Sequence, residues 1–340
     1  MDVLTALPAY HAGHDWHALI AERKSGMSGI SQNPEVNVGS HEAIPNAVEP
    51  EMTPLVRLIG KFIGLALLAA FFAGVVRGLG GSGGLTGDLV RGLGASEVGF
   101  AIVLILLGSL VEGFGYGLSL GTKWPYTKNI LVLMWRGDPE AAHRVVATLV
   151  GLVGLALAIL SPGASTFSGL ALIVITALFG MGTLYVLAGK APALVHGIHG
   201  LLAYGVFLVY LTSLAHPDFN FWIYLKEMAP LHALLLAVLM GGMTTGQRGF
   251  GQPIGHFVRP RKASQWTLAV HVTAALLVVA TLGWMRQDYP WAFFFSIIQF
   301  GVGSLLFRAV NLKPKDPGIM VAFHQSMVLL MSLAIVLQWQ

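Results

Sequence analysis

Four histidines stand out by type and spacing: His143, His199, His271 and His324. Each falls within the first several residues of a long apolar stretch. An ionisable side chain in such a place is costly and functional by default. The first two are 56 residues apart and the second two 53. Interhelical hydrogen bonding would account for any one of them. Four at matched depth, in two matched pairs, point instead to metal ligation, because neutral imidazoles on facing helices of a bundle hold haem iron. Zinc or copper fits less well, since no Cys, Met or carboxylate cluster joins the four. The chain has no cysteine, which excludes disulfides, iron–sulfur clusters and thiolate zinc sites.

The remaining histidines rank lower. His196 lies one turn before His199 and is the alternative ligand in that stretch. His232 starts its stretch from the opposite side, His216 and His256 fall in connections, and His41 lies in a polar tail. His11, His14 and His17 recur every three residues in that tail. A surface metal site there is the sharper reading, solvated side chains the plainer one.

The elements that must position the four follow from composition. Apolar residues make up 55% of the 340, charged residues 11%, and mean hydropathy is +0.71. Soluble domains carry about 25% charged residues, so most of this surface cannot face water. The formal charge of +4 and pI near 9.3 imply no nucleic-acid partner, because the basic residues sit in short loops beside apolar spans.

The expected fold is all-α and polytopic. A helix needs about 20 apolar residues to cross the hydrocarbon core, and nine segments qualify: 56–76, 98–118, 142–161, 166–188, 194–214, 229–247, 265–285, 291–309 and 320–338. Residues 1–54 read as a polar N-terminal tail rather than a secretory signal, and 55–78 as an additional transmembrane helix before a Gly-rich linker. Two four-helix units, 97–216 and 229–340, complete the chain. Leu107–Gly108 followed by Gly113 and Gly115 parallels Met240–Gly241 followed by Gly246, and internal repeats sharing a site are common in membrane proteins. Since helices alternate direction, the second, fourth, sixth and eighth of the repeat run the same way, and their histidines lie near one membrane face.

Glu140, His143 and Arg144 form an acid-x-x-His-Arg pattern, whose spacing puts carboxylate and imidazole on one helix face. Glu140 is suited to hydrogen-bond a substrate, relay protons or cap the helix. Arg144, Arg248 and Lys123 lie on the same side and suit haem propionates, since guanidinium and ammonium groups bond carboxylates strongly.

With these residues in view, residues 97–340 resemble the haem A synthase family. The Glu140-x-x-His143-Arg144 pattern is similar to the family's second-helix motif. The run from Leu107–Gly108 through Gly117-Leu118-Ser119 to Trp124–Pro125 resembles the end of its first helix. Gly246-Gln247-Arg248-Gly249 resembles the equivalent turn of the second half, and His324–Gln325 the start of the last helix. The resemblance implies eight helices in two halves with one histidine pair each. It implies a site at His143, His199 and Glu140 where haem O is oxidised to haem A, and a haem b held by His271 and His324. The chain departs from the family in Val272, where an arginine is common, in the lack of a cysteine pair, and in its tail and extra helix.

Most lysines and arginines fall on the histidine side or in the tail, against Arg77, Arg91, Lys226 and Arg286 opposite. The positive-inside rule then puts the histidine ends and N-terminus in the cytoplasm, most simply at a prokaryotic cytoplasmic membrane. The family resemblance implies the reverse. Three functions stay open: a haem A synthase, a b-type cytochrome passing electrons between quinone and a respiratory oxidase or peripheral redox subunit, and a histidine-dependent transporter. Membrane lipid is a partner in each.

Overall fold

The computed structural model describes residues 85–127, 129–218, 220–249 and 251–339. The expected tail at 1–54 with its histidines and the additional helix at 55–78 lie outside them. Ten α-helices and no strand occur among the described residues: α1 (Leu85–Gly113), α2 (Ile130–Arg136), α3 (Pro139–Leu160), α4 (Ala164–Leu187), α5 (Leu194–Ala215), α6 (Phe221–Glu227), α7 (Ala229–Arg248), α8 (Ala263–Trp284), α9 (Pro290–Leu312) and α10 (Met320–Gln338). Eight are long and apolar enough to cross a membrane, so the chain is a polytopic α-helical membrane protein. The short α2 and α6 lie in connections.

Seven of the eight spans lie within three residues of the sequence expectation. The exception is α1, which begins at Leu85 rather than 98 and ends at Gly113. Its first turns contain Gly87, Asp88, Arg91, Gly92 and Gly94, which read locally as a linker. Gly94 packs against Leu214 of α5, and such tertiary packing outweighs the roughly 1 kcal/mol helix penalty of a glycine. The extension draws Glu97 from the expected boundary into the span.

Local signals account for the helix starts that matter. Gly137 closes α2 with φ +94°, the Asp138 carboxylate caps α3 by accepting from the Ala141 amide at 2.9 Å, and Pro139 occupies the first turn. Capping, weighed for Glu140, therefore belongs to Asp138. At the start of α8 the Gln265 side chain accepts from the amides of Arg261 and Lys262 at 2.7 and 3.2 Å.

In the first half α1, α3, α4 and α5 pack around a common centre, and in the second α7, α8, α9 and α10 do the same. The halves meet where α5 runs against α7 and α1 against α10. No hydrophobic force drives helices together in lipid, so close approach through small residues takes over. Gly197 of α5 faces Gly242 of α7 with almost no space between the backbones, and the Gly113 carbonyl accepts from the Gly318 amide at 2.8 Å. All described residues belong to one compact unit, so the halves are not separate domains. The outer surface is apolar and lipid-facing, with Leu152, Ile159 and Phe167 exposed. Exposed tryptophans mark both ends, Trp124, Trp135 and Trp266 at one and Trp222, Trp284 and Trp291 at the other, as expected of an interfacial aromatic belt.

Candidate functional site

The four histidines come together as two pairs. The rings of His143 (α3) and His199 (α5) have centroids 6.4 Å apart, and those of His271 (α8) and His324 (α10) 6.1 Å apart. Both pairs line one continuous, mainly apolar cavity of about 830 Å³ that reaches into both halves.

One device holds three of the rings, and a variant of it meets the fourth. The His143 Nδ1–H donates to the Leu104 carbonyl at 3.0 Å, His199 to Thr176 at 3.1 Å and His271 to Ala237 at 2.7 Å. Four residues beyond each acceptor stands a glycine against the same ring. A Cβ on Gly108 would come within 3.3 Å of His143, on Gly180 within 3.1 Å of His199, and on Gly241 within 3.2 Å of His271. The fourth copy uses Gly303, where a Cβ would lie 3.5 Å from His324. Here residue 299, again four before the glycine, contributes its side chain: the Gln299 carboxamide lies 2.9 Å from Nδ1 and 3.2 Å from Nε2 of His324. Gln299 Oε1 has no hydrogen-bond partner among the described residues.

The chemical consequence is a chosen tautomer. For His143, His199 and His271 the partner is a backbone carbonyl oxygen, which only accepts, so Nδ1 carries the proton and Nε2 keeps its lone pair; at His324 the Gln299 amide nitrogen donates to the ring instead. Metal-ligating histidines are held in this way, the second nitrogen donating to a carbonyl that fixes ring orientation.

The residues beside the first pair are held by protein partners. Glu140 is buried; its Oε2 accepts from Ser119 Oγ at 2.8 Å and the Leu120 amide at 3.1 Å, and its Oε1 pairs with Arg144 at 2.5 Å. Arg144 also donates to the Lys123 and Pro125 carbonyls. These bonds clamp the connection after α1 onto the start of α3. Repeating His143 onto His271 carries Glu140 and Arg144 onto Leu268 and Val272, an apolar pair in the second half. Thr244, Thr267 and Gln247 form the polar link between α7 and α8 instead.

Arg248 sits on the seam between halves, 3.5 Å from Glu112 of α1 and donating to the Pro314 carbonyl at 3.0 Å. Glu112 also lies 3.7 Å from His196 Nε2. His196, the alternative ligand, thus faces Glu112, and it is His199 that meets His143. His216 and His232 contact the carbonyls of Val336 and Leu225.

No family model, curated protein or solved structure matches this chain. The geometry alone must say what the site accommodates. With metal–imidazole bonds of about 2.0 Å, ring centroids 6.4 and 6.1 Å apart would leave room for one metal centre between the rings of each pair. Among the described residues no group of three or more His, Cys, Asp or Glu converges as a metal-ion site. Haem iron takes its equatorial ligands from the porphyrin, so two histidines suffice. The residues present therefore fit haem better than a bare ion.

The glycines and carbonyl acceptors could not be singled out from the sequence. Glycine is frequent in transmembrane helices, and its place four residues after an acceptor acquires meaning only once the helix register is known. Glu97 was missed for a different reason, since local composition put it outside the span.

Proposed function

We propose that this chain is a membrane haem protein with one bis-histidine haem in each four-helix half, working in redox chemistry of the haem A synthase type. The observation that carries the proposal is the device of glycine and carbonyl acceptor at His143, His199 and His271, with Gly303 and Gln299 at His324. It holds the rings in two pairs, with centroids 6.4 and 6.1 Å apart, on the wall of one cavity. His143 and His199 hold one group, and His271 and His324 the other. Haem, when bound, supplies one-electron redox chemistry. The apolar wall excludes water, and Nδ1–H donation from His143, His199 and His271 keeps those imidazoles neutral and oriented. Arg144 and Arg248, which both line the cavity, are the cations assigned to haem propionates.

The halves differ, and the proposal assigns them different tasks. Glu140 and Arg144 border only the first pair, so that half is the reactive site, for oxidation of haem O to haem A. The second, with Leu268 and Val272 in their place, is the electron-transfer site of a haem b. A second reading, a b-type cytochrome exchanging electrons with quinone and a respiratory oxidase or peripheral redox subunit, is favoured by the engagement of Glu140 on both oxygens. In that case Glu140 is an anchor and nothing more.

Extraction of haem from the purified protein, with identification by mass, tests these readings. Haem O or A alongside haem b supports the synthase, haem b alone supports the carrier, and no haem removes both. Glu140→Gln sharpens the choice, since it keeps size and hydrogen bonding but removes proton exchange. In the synthase it stops haem A formation while haem still binds. In the carrier it leaves electron transfer close to native.

The histidine ends are proposed to face the cytoplasm of a prokaryotic cell. Introduced cysteines at Lys262→Cys and Lys315→Cys, in a chain without native cysteine, then resist an impermeant thiol reagent applied to intact cells. Ready labelling of both would reverse the orientation.

A further inference from the structure

Glu97 lies on α1 about 15 Å in from the start of the span at Gly87, by helix rise. It is 0% exposed, and neither carboxylate oxygen has a hydrogen-bond partner among the described residues. The hydroxyl of Tyr210 on α5, also buried, has none either. Two glycines make room for this pair. A Cβ on Gly154 of α3 would lie 3.0 Å from the Tyr210 hydroxyl and 3.6 Å from Glu97 Oε1. A Cβ on Gly169 of α4 would lie 2.6 Å from the Tyr210 ring. Carboxyl and phenol thus share a pocket to which all four helices of the first half contribute.

That pocket sits directly beneath the histidine cavity. Ala101, Val150 and Ile173 line the cavity, and each is one turn from Glu97, Gly154 or Gly169 on its own helix. The Ile173 Cδ1 fills the space 2.5 Å from where a Gly154 Cβ would be. One layer of side chains separates the two. On α5, His196, His199 and Tyr204 lie towards the cavity and His216 towards the opposite surface, and Tyr185 of α4 and Glu112 of α1 lie at the histidine ends of their helices. Glu140, His143 and Arg144 are at the far end of α3, α10 has none beyond His324, and Asp88 and Arg91 lie farther along α1 towards the opposite surface.

An unpartnered carboxylate in such surroundings is strongly disfavoured as an anion, and intramembrane carboxyls recur in proton relays. A bound metal cation would demand several more oxygen ligands than one carboxyl and one phenol provide. A proton satisfies the carboxyl outright.

We infer that Glu97, beside the Tyr210 hydroxyl, is a proton-binding station beneath the histidine cavity, whose affinity for a proton from the aqueous phase rises when the site above gains one electron. The proton returns to water when the electron leaves. This rests on the proposed haem at His143 and His199, with a quinol or chemical reductant as the electron donor. Glu97 lies seven residues along α1 from Leu104, the acceptor for His143, hence about 10 Å away by helix rise. The His143 ring lies beyond that carbonyl, and at an effective dielectric of about 20 one unit of charge a little more than about 10 Å away changes proton affinity roughly tenfold.

The test is a redox titration of the purified haem protein, followed by absorbance over a range of pH. Reduction favours proton uptake, so the midpoint potential of the first haem falls as pH rises. Native protein shows a total fall greater than that of Glu97→Gln by about 59 mV, the one-electron equivalent of tenfold. Glu97→Asp, which restores a titratable group, recovers pH dependence. Redox-induced infrared difference spectra show a carboxylic-acid C=O band in native protein that Glu97→Gln lacks. Overlapping pH profiles for native and Glu97→Gln overturn the station. If Glu97→Gln does not accumulate, a pH-independent potential in native protein overturns it equally. Absence of haem from native protein overturns the proposed function and this coupling together, whereas haem with a flat potential overturns the coupling alone.

Discussion

His271→Ala and His324→Ala are each expected to strip haem from the second half while leaving the first half loaded, lowering haem content from about two per chain to about one. The two pairs are independent in their ligands. His271 takes its orientation from the Ala237 carbonyl and His324 from Gln299, and none of these residues supports His143 or His199. Loss of one imidazole leaves the iron a single protein ligand in a cavity whose remaining wall is mainly apolar. Neither substitution threatens the fold in the way a buried charge would, because both rings face the cavity rather than a packed seam. The measurement is haem content per chain with the reduced absorbance spectrum, checked against retained size-exclusion behaviour. Unchanged content and spectrum in both variants would remove the second pair as a haem site. Equal loss from both halves would show that the pairs are not independent.

The parts of this architecture legible in the sequence are those with strong local signals. Among the described residues, long apolar runs separated by Pro, Gly and charge give helices, and seven of the eight spans follow that rule to within a few residues. The four histidines were visible because an imidazole in a lipid-spanning run is costly, and four at matched depth exceed what interhelical hydrogen bonding requires. The pairing of His143 with His199 and of His271 with His324 followed from the internal repeat. What stayed hidden depends on contacts between helices. The first turns of α1 are rich in glycine and charge, and become helix only because α5 packs against them, with Leu214 on Gly94. That error moved Glu97 out of the membrane. Arg248 reads as an interfacial cation until the seam brings Glu112 of the other half to it. Glu140 reads as a free carboxyl until the connection after α1 folds back with Ser119 and Leu120. In each case local sequence supplied the group, and tertiary structure supplied the partner that decides its role.

The seam between halves is the point where one methyl group has the largest consequence. Gly242→Ala is expected to destabilise the protein although alanine is the better helix former. An added Cβ at Gly242 lies 2.9 Å from the Gly197 Cα and 3.1 Å from the His196 carbonyl oxygen. Both are backbone atoms of α5, so no rotamer change relieves the contact and the helices must separate. Overpacking of this kind costs about 1–3 kcal/mol, against a helix-propensity gain of at most about 1 kcal/mol, so the steric term wins. Separation also reaches the site. Residue 241 on α7 supports the His271 ring, and His199 lies two residues beyond Gly197 on α5, so haem is held less firmly in both halves. Gly301→Ala is the control, because a Cβ there meets nothing within 4 Å and only the propensity gain remains. Thermal unfolding of the detergent-solubilised protein, followed by tryptophan fluorescence, should place Gly242→Ala below native and Gly301→Ala at or above it. Equal midpoints for the two variants would mean that α5 and α7 are not in backbone contact, and that the halves are joined by some other surface.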